Sequence, residues 1–188
     1  MHEKFEAMMS TRGERYRDVR SMAGILAYAD AVTADTLGAR FGYCFVSPPG
    51  SDYPPIITLD RFESDVPLTI DGPGGPLRFT PFPVLHGAGY QAFGFRFESC
   101  VYCPDVSRLN GSDHYFDHAR LVILDALRET RHPTHFSLGE ALAVIAQHRP
   151  DHAVLTNLHT DLDYAALAAK LPAGIEPAYD GMRLVLED

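Results

Sequence analysis

The order of strand-like and helix-like segments constrains the fold of this chain more than any other feature of its sequence. The middle of the chain is rich in short aromatic and β-branched stretches separated by Gly and Pro, which predicts a run of strands. The last third alternates short apolar stretches with segments that carry helix-capping residues. Strands that first come in a group and are then interleaved with helices imply a layered α/β domain with a sheet packed against helices.

The boundaries of these predicted elements follow from turn residues and capping residues. Strands are predicted over 24–30, 56–62, 67–70, 77–86, 90–99, 101–105, 121–127, 153–158 and 182–187. Helices are predicted over 33–45, with Thr33 or Asp35 near the N-cap, over 137–150, capped by Ser137 with Glu140 three residues on, and over 163–171, opened by Asp163.

Length and composition limit the number of domains and the classes of partner. A chain of 188 residues, 46% of them hydrophobic, suits one globular domain. We expect this domain over residues 23–188, after a polar N-terminal arm or helix over residues 1–22. The formal net charge of -9 and a pI near 5.4 argue against general nucleic-acid binding, because nucleic-acid binders usually present a basic face.

The chain has neither an apolar run of the roughly 18 residues that a membrane span needs nor a signal-peptide core near its start. We therefore expect a cytoplasmic protein. Three cysteines are too few for a disulfide framework, which agrees with a reducing compartment. Cys100 and Cys103 form a CxxC pair that is either a zinc or redox site or, as the simpler interpretation, two small strand residues.

Three potential metal ligands stand at the ends of predicted strands. His86 ends one strand and is followed by Gly87, Asp105 ends the next strand but one, and His159 directly follows a third. Imidazole nitrogen and carboxylate oxygen suit Zn, Mn or Fe, so the three side chains predict a divalent-cation site if they converge at one sheet edge. Each residue taken singly is more often a structural residue satisfied by hydrogen bonds.

The motif RHPTHFSL places His132 and His135 on a loop beside a helix N-terminus, because Pro133 blocks helix until Ser137 caps one. Such a position suits an anion, and an imidazolium there could protonate a leaving oxygen. The alternative is that backbone groups satisfy these histidines.

Other acids and histidines are assigned structural or supporting roles. Asp125, at the end of a buried strand, either orients a ligand histidine or is merely the polar end of that strand. Asp161 and Asp163 are interpreted as solvated or capping residues. The remaining histidines are predicted to be surface residues: His2, His114, His118, His148 and His152.

The order of several motifs resembles a known family. From about Ile25 to the C-terminus the chain reads VLHG, YCPDVS, LDALRETRHPTHFSLGEAL, LTNLHTDLDY and IEPAYDGMRL. This order resembles the C-terminal half of metallo-β-lactamase-fold proteins related to phosphoribosyl cyclic phosphate phosphodiesterase, and more distantly the tRNA 3′-processing endonucleases. Long motifs in a fixed order are much more specific than a single pair of ligands.

The resemblance implies an αββα sandwich with two metals, Zn or Mn, at the sheet edge. The residue matching His86 would bind one metal, the residue matching Asp105 would bridge both, and the residue matching His159 would bind the other. His135 matches a position that contacts phosphate or protonates the leaving group, with His132 and Asp125 in supporting places. The implied activity is that of a metal-dependent phosphodiesterase acting on a small phosphate ester or cyclic phosphate.

The sequence departs from the family at one motif. Family members carry HxHxDH upstream, whereas the only histidine before His86 in this chain is His2. We therefore expect an N-terminally incomplete version of the sandwich. The alternative to the hydrolase is a catalytically inactive derivative that serves as a binding or scaffold protein, or one that needs a partner chain to complete its site. Self-association into a homo-oligomer stays open as well, because a missing part of the sandwich would expose a sheet edge.

Overall fold

The computed structural model describes residues 25–186, with the exception of Tyr53 and Pro73. The predicted arm over residues 1–22 lies outside this described part, and the proposed domain boundary stays a prediction. The chain divides into two compact units, Met1–Leu77 and Arg78–Asp188. None of the helices within the described residues is both long enough and apolar enough to cross a membrane.

The first unit contains strands β1 (Ile25–Ala29), β2 (Ile57–Arg61) and β3 (Leu68–Ile70) and helix α1 (Ala31–Phe41). Strands β1 and β2 are parallel, and Ile25 pairs with Ile57. Their short apolar stretches and the intervening helix correspond to the strand, helix and strand expected from the sequence.

Helix α1 begins earlier than predicted. Its N-cap is Asp30, whose carboxylate accepts a hydrogen bond from the Val32 amide at 3.1 Å. The prediction of Thr33 or Asp35 as the cap was wrong, because Asp30 already satisfies a free amide of the first turn. The helix also ends at Phe41, where a 3₁₀ turn replaces its predicted last residues.

The second unit is built on strands that follow one another across a sheet. They are β4 (Leu77–Leu85), β5 (Gln91–Phe97), β6 (Cys100–Cys103), β7 (Leu121–Asp125), β8 (His152–Thr156) and β9 (Ile175–Pro177), in that spatial order. Pairing is antiparallel from β4 to β5 and from β5 to β6, and parallel from β6 to β9. Strands β4, β6, β7, β8 and β9 therefore all end at the same edge of the sheet.

Two helices connect the parallel strands, as the sequence predicts. Helix α2 (Leu138–His148) begins with a capping box in which the Ser137 side chain accepts from the Glu140 amide while the Glu140 carboxylate accepts from the Ser137 amide. Helix α3 (Tyr164–Ala168) is capped by Asp163. Both predicted caps are confirmed.

The core of the second unit is centred on Phe82 of β4, which is completely buried. Its ring stacks on Tyr115 with centroids 4.6 Å apart and meets the edge of Phe116 at 5.9 Å. Gly94 lies opposite Phe82 on β5, and a Cβ there would lie 2.2 Å from the Phe82 ring. The glycine therefore makes room for the aromatic ring that anchors this sheet face.

The predicted strand over residues 182–187 was wrong for its described part, since residues 182–186 form no strand. Met182, Leu184 and Leu186 pack against a small buried cluster of Cys100, Leu121 and Val154. Their alternation therefore reflects burial of one side of an extended segment without strand pairing. The pairing beside β8 is made by β9 instead, which the sequence analysis had not predicted as a strand.

Two histidines predicted to lie on the surface are partly or largely buried. The His148 side chain is only 5% exposed, and its Nδ1 lies 3.0 Å from the Asp117 carboxylate. His152 begins β8, and its Nε2 lies 2.7 Å from Glu176 on β9. The surface prediction was wrong for His148. The histidine is buried beside Asp117, and helical periodicity gives no information about a partner 31 residues away in sequence.

Candidate functional site

The candidate site lies where β4 and β6 end. His86 follows the last residue of β4, and Asp105 comes two residues after the last residue of β6. The two segments are tied together by Ser107, whose hydroxyl accepts from the Gly87 amide at 2.9 Å and donates to the Leu85 carbonyl at 3.1 Å. Sheet direction and these bonds bring His86 and Asp105 to the same place.

His135 joins these two residues from the loop before α2. One ligand atom from each of His86, Asp105 and His135 lies within 4.8 Å of the others. The imidazole rings of His86 and His135 are 4.5 Å apart between centroids and nearly perpendicular. His135 Nδ1 lies 3.9 Å from an oxygen of Asp105. The structure therefore brings together three side chains of the types that bind Zn or Mn.

A second observation also indicates that these side chains suit a divalent cation. Nδ1 of His86 is buried and has no hydrogen-bond partner among the described residues. Buried polar atoms are normally satisfied, and an unsatisfied nitrogen beside two further potential ligands fits a site for an ion. Asp105 is half exposed at 52% of its side chain, which leaves the group open to solvent and substrate.

Asp125, the last residue of β7, is completely buried beneath this group. One carboxylate oxygen lies 2.8 Å from His135 Nδ1 and also accepts from the Val106 amide at 3.1 Å. The other oxygen accepts from the Asn157 amide at 3.2 Å. Burial raises the pKa of Asp125, while the hydrogen bonds from Val106, His135 and Asn157 oppose that rise.

The contact with Asp125 determines how His135 presents its ring. A carboxylate only accepts hydrogen bonds, so His135 Nδ1 carries the hydrogen in this pair. Nε2 is then the nitrogen available for an ion or a substrate oxygen. Because the His135 side chain is only 15% exposed, its orientation is held by packing as well as by this bond.

His132 packs beside His135, with ring centroids 5.4 Å apart. Its Nδ1 accepts from the Thr134 amide at 3.3 Å and lies 3.1 Å from the Thr134 hydroxyl. Desolvation and the nearby Arg128 guanidinium lower the pKa of His132.

Gly87 has φ +90°, and a Cβ there would lie 2.8 Å from the Thr134 methyl group. The HPTH loop therefore rests directly on the turn that carries His86.

His159 is not a member of the three-residue group. Its amide donates to the Leu127 carbonyl at 2.8 Å, and its Nδ1 lies 3.1 Å from Asp161. The side chain is 51% exposed. The predicted metal role of His159 therefore stays a prediction, and Asp161 is its partner in this structure.

The CxxC pair is separate from this group. Cys100 and Cys103 are free, buried residues of β6. Burial raises the pKa of Cys100 to about 11 and raises that of Cys103 further. Thiols with such a high pKa stay protonated at neutral pH, which favours the interpretation as strand residues over a zinc or redox site.

Comparison with known families identifies the chain. The sequence profile described as "Beta-lactamase superfamily domain" matches residues 13–157, which is most of the sequence. The chain belongs to the β-lactamase superfamily. The resemblance that the motifs VLHG and HPTH carried is thereby confirmed, and so is the predicted fold class. No curated protein matches this superfamily member.

Solved structures agree with this assignment. A diphosphatase from the PhnP family is 28% identical with a TM-score of 0.75, over 89% of this chain and 61% of its own length. The metallo-β-lactamase fold protein YhfI from Bacillus subtilis is 16% identical with a TM-score of 0.65, over 95% and 68%. Human tRNase Z, short form, is 14% identical with a TM-score of 0.58, over 89% and 68%. The last two similarities show the shared fold.

One further residue, Asn157, contacts this site and was not predicted from the sequence. Asn157 follows β8, and its side-chain amide reaches both Asp125 and the carbonyl of Pro104. The sequence feature that could have identified Asn157 is its place directly after a buried strand, which it shares with His86. An Asn at a strand end is usually a turn residue, and for that reason it was not singled out.

Proposed function

We propose that this β-lactamase-superfamily chain is a metal-dependent phosphodiesterase that acts on a small phosphate ester or cyclic phosphate. The observation that carries the proposal is the convergence of His86, Asp105 and His135 at one sheet edge, with His86 Nδ1 buried and unsatisfied among the described residues. The similarity to a PhnP-family diphosphatase supports a phosphate-containing substrate.

In this proposal His86 and Asp105 would hold one ion, and His159 would be a ligand of a second. A bound Zn or Mn ion would supply Lewis acidity toward a phosphoryl oxygen. The net charge of -9 gives the chain no general attraction for phosphate, so recognition has to be local. A small substrate fits this requirement better than a nucleic acid.

His135 is proposed to act on the leaving group. Its Nδ1–H bond to Asp125 directs Nε2 away from that carboxylate, so that Nε2 is the nitrogen that takes up a proton. Nε2 then donates this proton to the departing oxygen of the ester. The half-exposed Asp105 and the partly buried His86 leave the ring accessible from one side.

The experiment is elemental analysis of the purified protein together with hydrolysis of bis-p-nitrophenyl phosphate. We expect His86→Ala to lose both bound metal and activity, and His159→Ala to lose metal. We expect His135→Ala to lose activity while it retains metal. His114→Ala is the matched control, because His114 is exposed and its side chain lies away from the site, near the Gly111 carbonyl and the Tyr115 ring. Loss of metal in His135→Ala would instead make this residue a ligand.

A second candidate function rests on the absence of an HxHxDH motif from the sequence. Without those ligands the three converging side chains suit a single ion, and the chain would be an inactive binding or scaffold protein, or would need a partner chain. Metal content distinguishes the two functions: a working two-metal phosphodiesterase holds close to two ions per chain. One ion or none, with no hydrolysis above the His86→Ala level, would favour the scaffold.

A further inference from the structure

Asn157 contacts three groups of the site and has no role assigned so far. It stands one residue after β8 with φ 61°, a left-handed conformation that Asn tolerates better than most residues. Its Nδ2 lies 3.2 Å from Asp125 Oδ1, 3.4 Å from the Pro104 carbonyl and 3.1 Å from His135 Nδ1. We propose that Asn157 is a positioning residue that holds Asp125 so that His135 keeps its proton on Nδ1.

The first step concerns the Asp125 carboxylate, which has a broad range of rotation unless its partners fix it. Oδ2 accepts from the Val106 amide and from His135 Nδ1. Among the described residues, Asn157 is the only donor to Oδ1. Asp125 is completely buried with this donor in place, although Asn157 itself lies at the surface. Asn157 therefore completes the set of donors that fixes the plane of the carboxylate.

The second step concerns the two hydrogens of the Asn157 amide. Nδ2 lies within hydrogen-bond distance of Asp125 Oδ1 and of the carbonyl of Pro104, the residue before Asp105. Because His135 Nδ1 donates to Asp125 Oδ2 at 2.8 Å, it does not also accept from the Asn157 amide 3.1 Å away. The same side chain therefore links the loop of Asp105, the strand end of Asp125 and the ring of His135.

The consequence is a fixed tautomer. A neutral imidazole places its hydrogen on one nitrogen, and the partner of that nitrogen decides which one. With Asp125 held in place, His135 is the Nδ1–H tautomer and Nε2 has a free lone pair. The importance of this tautomer rests on the proposed function, because the free lone pair makes Nε2 the nitrogen that takes up a proton and then gives it to the leaving oxygen. The tautomer itself is measurable without metal or substrate.

The experiment is nitrogen and proton NMR of the histidine side chains in metal-free protein labelled with ¹⁵N-histidine. His135→Gln identifies the resonances of His135. At mildly alkaline pH, where imidazole is ordinarily neutral, we expect wild-type His135 to show the Nδ1–H pattern with a downfield Nδ1 proton. Asn157→Gly removes the amide but suits the left-handed backbone, and we expect it to give a mixture of tautomers and faster exchange of that proton.

Two further variants separate positioning from folding. Asn110→Gly is the matched control, because Asn110 is also left-handed, at φ 54°, and exposed, and we expect it to keep the wild-type His135 pattern. Asn157→Ala removes both donor hydrogens and adds neither an acceptor nor a charge beside Asp125, so it tests the proposal even if the glycine variant fails to fold. The proposal is overturned if wild-type His135 is not Nδ1–H, or if folded Asn157 variants keep the wild-type pattern. Either result leaves the measurements of metal content and hydrolysis free to stand.

Discussion

At the scale of single residues, two carboxylate–histidine pairs of this chain have the same local geometry and different surroundings. Asp125 lies 2.8 Å from His135 Nδ1 at the site, and Asp117 lies 3.0 Å from His148 Nδ1 away from it. Asp125 is completely buried, whereas Asp117 is 57% exposed. The buried pair therefore fixes its imidazole more strongly than the exposed one, since a buried carboxylate has no water to compete for its oxygens.

This difference gives the first prediction. We expect Asp125→Asn to reduce hydrolysis of bis-p-nitrophenyl phosphate by about 10–100-fold, the usual effect of removing the acid that orients a functional histidine. The amide offers a hydrogen-bond donor as well as an acceptor, so it no longer fixes the hydrogen of His135 on Nδ1, while bound metal is retained. Asp117→Asn is the matched change, and we expect it to leave the rate constant unaltered. Equal effects of the two substitutions on the rate would contradict the role given to Asp125.

Site residues were predictable from the sequence where they directly follow a predicted strand, because the end of a strand fixes a position at the edge of the sheet. His86 and Asp105 were singled out because they stand at strand ends, and the structure places them together. His135 reaches the same group through a loop, and its place rested on Pro133 and the Ser137 cap. Asn157 could not be recognised in this way, because its significance depends on the distance to Asp125, which is 32 residues away in sequence.

At the scale of elements, α2 is held at the end that follows the HPTH loop. Glu140 accepts from the Ser137 amide at 2.9 Å and from Arg131 at 2.7 and 2.9 Å. Burial by itself would raise the pKa of Glu140, but the hydrogen bonds from Ser137 and the charge of Arg131 outweigh it and lower the pKa. The Glu140 carboxylate therefore binds both ends of the loop that carries His135, at Arg131 and at Ser137.

The sign of this shift gives the second prediction. A carboxylate with a lowered pKa in the folded state stabilises the fold above its ordinary value of 4.5, and the stabilisation is lost as the pH falls through the folded-state value. We expect Glu140→Gln to lower the free energy of unfolding by about 1 kcal/mol near pH 7, as for other lost caps. The difference from wild type should shrink below pH 4.5. Urea unfolding measures it, with Glu129→Gln, at an exposed residue of the same loop, as control. A difference that stays constant with pH would contradict this assignment.

Elements were predictable where a local signal marked their first residue. The capping residues Ser137 and Asp163 located the N-termini of α2 and α3 correctly, whereas α3 ends at Ala168 and not at residue 171 as predicted. The segment 182–186 was wrongly predicted to be a strand. Apolar residues alternate wherever one side of an extended segment is buried, whether or not that segment pairs with a neighbouring strand. Pairing beside β8 is decided by which segment reaches the sheet, and this is a property of the tertiary fold.

At the scale of the whole molecule, the acidic balance of the chain limits how it interacts with ions. A net charge of -9 attracts cations weakly over the entire surface, whereas His86 and Asp105 offer ligands at one defined place, with His135 beside them. Only binding at a defined site depends on single side chains. The stability of the folded protein therefore reports which kind of binding occurs, since a ligand that binds only the native state stabilises it.

The third prediction follows from this linkage. With Zn or Mn at about 100 times its dissociation constant, we expect about 2.7 kcal/mol of stabilisation. For a chain of this size that corresponds to a rise in Tm of roughly 5–10 °C, which excess chelator should reverse. His86→Ala should abolish the rise, whereas His114→Ala, at an exposed histidine, should keep it. A rise of the same size in His86→Ala would mean that the ion binds to other groups, because a site built on this imidazole cannot keep its affinity after the ring is removed.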